Sequence, residues 1–372
     1  MIRKCKEIFN LRIKPSDCEQ HWRFTFKFQE FLCFLLFLQE LVLVLQGDLY
    51  LVPFALLRPT QSAACLYERY SLLVAPSVRA MQAAQAISDR CQYNPNCSGA
   101  IVIGNPKIPA CITAAWHWRP LPATEQECRF VAEMLGCRSL TGSDATRDAV
   151  SRDMPQAEVI HFATHISWKL SAIVLARNGS DRKSSWDERS NAIDDSFDGP
   201  ALSEHLLTAA DILNVPIRAK LVVINSSHMD ERAGRMNSDG VIGLTRAFLA
   251  AGAQCVLFPL WGVPEGASRL LLRNFYRCLL HGTSTSSALA EAMRAVRATR
   301  QFAHPSNWAC WTLVGSNVRI SSKVALMGHG LKALLSTPTK SREAMRVVLH
   351  LVSSCLRLFS LHSKGHSPKV SK

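Results

Sequence analysis

The chain has 372 residues, of which 48% are hydrophobic and 19% charged, and its formal net charge is +14. That balance can bury a sizeable core and excludes a chain disordered throughout. The charge sits at the two ends: residues 1–28 carry seven Lys/Arg against three Asp/Glu, and residues 319–372 carry ten against one. The 290 residues between them total only +1, which argues against a nucleic-acid groove on the folded body.

Residues 1–28 are basic and aromatic-rich, and Phe31–Leu38 is an apolar run. Broken by Gln39-Glu40, that run falls well short of the roughly 18 residues a membrane span needs. No small-residue cleavage site follows it. No period of about 34 residues marks a helical repeat array. Residues 1–39 are therefore left unassigned, as the expected product of truncation, alternative splicing or an imperfect gene boundary.

From Leu41 onward apolar runs alternate with helical periods. Strands are expected at Leu41–Leu45, Ser71–Ala75, Ala100–Gly104, Glu158–Ala163, Ala172–Leu175, Lys220–Asn225, Cys255–Leu260 and Thr312–Val314. Helices are expected at Val78–Asp89, Ala123–Leu135, Ala145–Arg152, Gly240–Ala250, Ala267–Leu280 and Ser286–Arg300. Thr141-Gly142 reads as a turn, and Ser143 or Asp144 as the cap of the helix that follows. The alternation implies an α/β fold with a mostly parallel sheet flanked by helices.

Asn178–Pro200 interrupts the alternation with a polar, charged stretch that reads as a solvated insertion. It is either passive surface or a loop that binds or regulates. Thirteen cysteines are scattered with no C-x-x-C pair, which fits reduced thiols in a cytoplasmic protein. No disulfide framework, metal or cofactor is expected.

Two buried-type strands end in reactive-type side chains. Glu158–Thr164 delivers His165, and Leu221–Ile224 runs into Asn225-Ser226-Ser227-His228. Such strand ends are where open α/β sheets assemble sites. Read alone, His161 and His165 are hydrogen-bonded structural histidines and the serines ordinary strand-end hydroxyls. Strand spacing also disfavours a zinc pair, because i,i+4 ligands belong to helices.

Taken together the motifs resemble the CHAT domain, a caspase/separase-like module often found carboxyl-terminal to tetratricopeptide repeats. His161-Phe162-Ala163-Thr164-His165 resembles its histidine motif, and Leu221 to Asp230 its cysteine motif, with Ser227 at the cysteine position. Gly104-Asn105-Pro106, Leu121-Pro122 with Glu125 and Glu127, Asp211-Ile212-Leu213, Asp239-Gly240 through Leu244, and Leu260-Trp261 fall in the family's order.

The resemblance implies a degenerate first lobe at 40–115 and a site-bearing lobe at 116–320. It also implies a histidine base paired with a thiolate nucleophile. Here Ser227 replaces the thiol, Ile166 the glycine after the histidine, and His228 the glutamate after the cysteine. A hydroxyl is far less acidic than a thiol with a pKa of about 8.5, so a serine needs a well-oriented base. A β-branched residue at 166 is expected to crowd the approach to an oxyanion site. No acidic residue lies within ten positions after His165. The dyad positions are read as degenerate: a non-catalytic, pseudo-peptidase interaction module of a tetratricopeptide-repeat scaffold, with other proteins as partners. The alternative is a peptidase or serine hydrolase using Ser227 with His165. A displaced nucleophile such as Cys255 would have to lie beside His165.

Beyond Ile320 the tail is basic. Met345, Val348, Leu349, Val352, Leu356 and Phe359 have the spacing of an amphipathic helix over about 343–361. It is expected to pack on the body, or to dock on a partner or an acidic lipid surface.

Overall fold

The structure is a computed structural model that describes residues 40–45, 47–58, 64–77, 79, 99–178, 202–225, 238–320 and 348–349. Its strands are β1 Glu40–Val44, β2 Ser71–Ala75, β3 Ala100–Pro106, β4 Ser139–Gly142, β5 Val159–Ala163, β6 Ile166–Ser167, β7 Ala172–Val174, β8 Leu206–Thr208, β9 Leu221–Asn225, β10 Cys255–Pro259, β11 Trp311–Gly315 and β12 Val348–Leu349. Its helices are α1 Leu66–Arg69, α2 Ala110–Trp116, α3 Pro122–Leu135, α4 Arg147–Asp153, α5 Ala209–Leu213, α6 Ser238–Ala250, α7 Glu265–Leu280 and α8 Thr285–Ala298.

One sheet runs β12-β1-β2-β11-β10-β9-β5-β3-β4, and β6-β7-β8 form a small antiparallel sheet beside it. Among the described residues, the only antiparallel pair in the large sheet is β10–β11. Parallel neighbours require crossovers, which α3, α4 and α6 supply between β3, β4, β5 and β9, β10. The α7–α8 hairpin joins β10 to antiparallel β11. Strands from both sides of residue 115 share this sheet, since β3 lies between β4 and β5.

Every residue of β5, β9 and β10 is buried, because both sheet faces are covered. Such strands read as unbroken apolar runs rather than alternating ones. On α7 the buried Ala267, Leu271, Leu272, Phe275, Tyr276 and Leu279 follow the helical period.

Each expected strand is present. The helix expected at 145–152 begins at Arg147, and its cap is Thr146, whose side chain accepts the Ala149 N–H at 3.2 Å. Asp144 lies three residues before the first helical residue and is not the cap; its carboxylate pairs with Arg138 at 2.9 Å. The expected Thr141-Gly142 turn is the end of β4. The helix expected at 78–89 lies outside the described residues apart from Arg79, which is helical. Of the helix expected at 343–361, only Val348–Leu349 is described. Those two residues pair in parallel with β1 as a strand, so at that point strand replaces helix.

Candidate functional site

The chain reverses direction at β3: β4 is added on one side of it and β5 on the other. A reversal of this kind opens a crevice at the carboxyl ends of the strands. His165 stands there, two residues past β5, with 7% of its surface exposed. Its Nε2 lies 2.7 Å from the Arg119 carbonyl. A carbonyl only accepts, so Nε2 carries the proton and Nδ1 is the basic nitrogen. Trp118 lies alongside the imidazole at 6.5 Å and 26°, and stacks in turn on Trp116 at 5.3 Å.

That carbonyl is itself held in place by sequence. Asn105 takes a left-handed turn with φ 42° at the end of β3. Its Oδ1 accepts the Leu121 N–H at 2.8 Å and its Nδ2 donates to Glu125 at 3.3 Å. The loop carrying Arg119 is thereby tied to the strand end. Gly104 precedes it because a Cβ there would sit 2.3 Å from Cys128 Sγ and 2.8 Å from the Ala163 carbonyl.

Downstream, Thr164 donates to the Val174 carbonyl at 2.8 Å, and the Val174 N–H donates to the His165 carbonyl at 3.0 Å. Ile166 opposes Ile173. With His165 bonded to Val174, Ile166–Ile173 is the non-hydrogen-bonded pair, and the Ile166 N–H turns away from β7. The Ile166 side chain belongs to the main hydrophobic core and is 6% exposed. It fills core volume, a constraint beyond the expected crowding.

His161 has a different role. It is fully buried, with Nδ1 2.9 Å from the Tyr276 hydroxyl and Nε2 2.9 Å from Glu127 Oε1. Asn225, the last residue of β9, donates from Nδ2 to both Glu127 oxygens at 2.8 Å and contacts Ser268 Oγ at 3.0 Å. With Glu127 accepting throughout, the neutral imidazole satisfies both contacts: Nε2–H donates to the carboxylate and Nδ1 accepts from Tyr276. Burial, and then the Glu127 charge, push the Tyr276 hydroxyl well above its ordinary value. This polar core binds α3, β5, β9 and α7 together directly beneath the strand ends. His161 and His165 thus face unrelated partners.

Ser227 and His228 lie outside the described residues, as does residues 179–200 of the insertion. Cys255 is described, and it does not stand beside His165. It opens β10, one residue before the Val256–Val222 pair, and its Sγ contacts Thr285 at 4.0 Å. That register sets it about four residues from the carboxyl end of β9, roughly 13 Å at 3.3 Å per residue. Burial pushes its thiol up to about 12. For Cys255 the displaced-nucleophile idea is therefore corrected: a buried neutral thiol at the amino-terminal end of β10 cannot act with His165.

Against this geometry, the family pattern of the CHAT domain matches residues 35–316. The chain belongs to the CHAT domain family. Among curated proteins, tetratricopeptide repeat protein 28 of Homo sapiens is 46% identical over 338 residues, covering 86% of this chain and 14% of that protein. The same protein of Mus musculus is 44% identical over 342 residues, with the same coverage. The chain thus spans about 14% of the length of these relatives. Among solved structures, the Saccharomyces cerevisiae separase–securin complex aligns at a TM-score of 0.45 and 12% identity, over 76% of this chain and 16% of that one.

For this CHAT domain the histidine motif located His165 but not what orients it. A backbone carbonyl and a neighbouring Trp118 leave no motif of their own. Glu127 was legible in principle: it shares the buried α3 face with Thr124, Cys128 and Val131. A carboxylate inside an apolar stripe announces a buried partner. Among the described residues no three metal-ligating side chains cluster, and no helix is long and apolar enough to cross a membrane.

Proposed function

We propose that this CHAT domain is a non-catalytic interaction module of a cytoplasmic tetratricopeptide-repeat scaffold, a pseudo-peptidase whose partners are other proteins. The observation that carries the reading is the hydroxyl of Ser227 at the motif's cysteine position, together with a histidine whose Nε2 donates to the Arg119 carbonyl. A carbonyl fixes the tautomer. It does not stabilise the imidazolium as a buried carboxylate does, and serine depends on that help more than a thiolate. His228 and Ile166 at the neighbouring motif positions support the same reading, and the names of the relatives support the scaffold setting.

The test is an activity probe. A fluorophosphonate should leave Ser227 unlabelled, and proximity labelling with the chain and its Ser227→Ala twin should return the same partners with no new cleaved peptide ends. Labelling of Ser227 that disappears in His165→Ala, or peptide ends lost in the twin, would establish a serine hydrolase instead.

A further inference from the structure

Among the described residues, β1 and β2 pair at five positions, but β2 and β11 pair at one, Val74 with Val314. Ahead of that point the two strands border a cavity of about 40 Å³, to which β2 contributes Leu72 and β11 contributes Thr312. α8 adds Ser286 to the wall, and the helical turn Gly47–Leu51 adds Tyr50. No side chain in the wall carries a formal charge, and most are aliphatic or aromatic.

The Ser286 hydroxyl and the Trp311 indole N–H both lie in this wall, buried and without a hydrogen-bond partner among the described residues. Each of the two residues is 2% exposed. Tyr50 brings a further buried hydroxyl, with the Arg246 charge near it. Polar atoms left bare in an interior are costly, and voids with polar walls hold water where apolar ones stay dry. The indole N–H can only donate, so an occupant has to present an acceptor. A wall without charges favours a neutral one, because an unpaired buried charge is far more costly. A water needs roughly 10–15 Å³, and a cavity of about 150 Å³ admits benzene, so this one has room for about three waters or one two-carbon alcohol.

We propose that this cavity is an internal binding site for a small neutral ligand that offers an oxygen acceptor to Trp311 and Ser286: ordered water, or a two-carbon alcohol of the same chemistry. The occupant joins α8 to β11 at the point where β2 and β11 part. The site lies three strands from β5, roughly 14 Å at about 4.8 Å each, and is separate from the His165 crevice.

The test is nuclear magnetic resonance on the full chain with isotopically labelled tryptophan, the Trp311 indole signal being the one missing in Trp311→Phe. That indole proton should show a cross-peak to a long-lived water, or ethanol should shift its signal saturably and beyond the shift of the other indoles. Ethanol that displaces the water cross-peak identifies an alcohol site. A cross-peak that survives ethanol with no such shift identifies water as the occupant. Ser286→Ala should raise the ethanol half-saturation, or shorten the residence of the water, by about fivefold, the equivalent of one hydrogen bond. Ala290→Val narrows the cavity and should abolish both effects; if it fails to fold, the unaltered chain and Ser286→Ala still decide. A Trp311 indole with no water cross-peak, and with no ethanol shift beyond that of the other indoles, would overturn the proposal. So would effects at Trp311 that the variants leave unchanged, because the ligand would then bind outside this cavity.

Discussion

Replacing Glu127 tests whether the polar core beneath the strand ends is structural. The carboxylate is 4% exposed, meets His161 Nε2 at 2.9 Å and accepts the Asn225 amide on both oxygens at 2.8 Å. Glu127→Ala leaves the His161 N–H and most of the Asn225 amide without partners in a dry interior. With His161 neutral, the loss comes from two orphaned buried donors, each costing about 1–3 kcal/mol. The expected loss is therefore about 2–6 kcal/mol, seen as a fall in the urea midpoint on the order of 1 M at unchanged slope. Glu127→Gln keeps the shape and one acceptor oxygen but turns a donor toward Asn225, so about 1–3 kcal/mol is expected. Adding His161→Phe to Glu127→Ala should cost less than the sum of the two, by about 1–2 kcal/mol, because the imidazole no longer needs its acceptor. A Glu127→Ala midpoint within about 0.5 kcal/mol of the parent, or strict additivity in the double variant, would refute the account.

Other expectations follow from neighbouring geometry. Ser227→Cys alone should stay inert toward thiol-directed peptide probes, and adding Ile166→Gly should be needed for any reaction. Because Ile166 is core, the double variant should also lose about 3 kcal/mol or more in denaturant titration, and labelling by the single variant would sink the idea. Gly252→Ala should destabilise by at least about 2 kcal/mol, since φ is 114° and the new Cβ would lie 2.2 Å from the Ile217 carbonyl; an unchanged thermal midpoint would count against it. Stability should fall in alkali. Burial raises the Cys255 thiol from 9.0 to about 12 and lifts Cys128 well above its ordinary value, Glu127 adding to the latter shift. The folded state holds these protons more tightly, so their contribution is intact below pH 9 and is lost as pH rises from there toward 12. The slope is up to about 1.4 kcal/mol per pH unit for each group. Cys255→Ala should flatten the urea-midpoint profile over that window, and an unaltered slope would show that the thiol stays protonated in both states.

The legible parts of the fold are those where burial writes directly into sequence. β5, β9 and β10 are covered on both faces and appear as unbroken apolar runs, and α3, α7 and α8 carry the helical period. β6 and β8, of two and three residues, are too short to show a period, and edge strand β4 needs only Leu140 facing inward. Their existence depends on neighbouring backbone groups that composition does not encode. Thr208 illustrates the exception, since it accepts the Asp211 N–H while Asp211 answers to its backbone, a capping box readable from spacing alone.

The candidate site divides along the same line. His165 is found through its motif, but its orientation rests on the Arg119 carbonyl, which depends on the Asn105–Leu121 bond at the end of β3. None of these contacts involves the nucleophile position. The Asn225 end of β9 is anchored just as independently, by Glu127 and Ser268. These contacts place His165 through the loop after β3, and the strand end through α3 and α7. The residues that bear on chemistry are those at 166, 227 and 228, where the motif is altered. The proposed binding role needs that frame and not a reactive thiolate, because a partner reads shape and hydrogen-bonding surface.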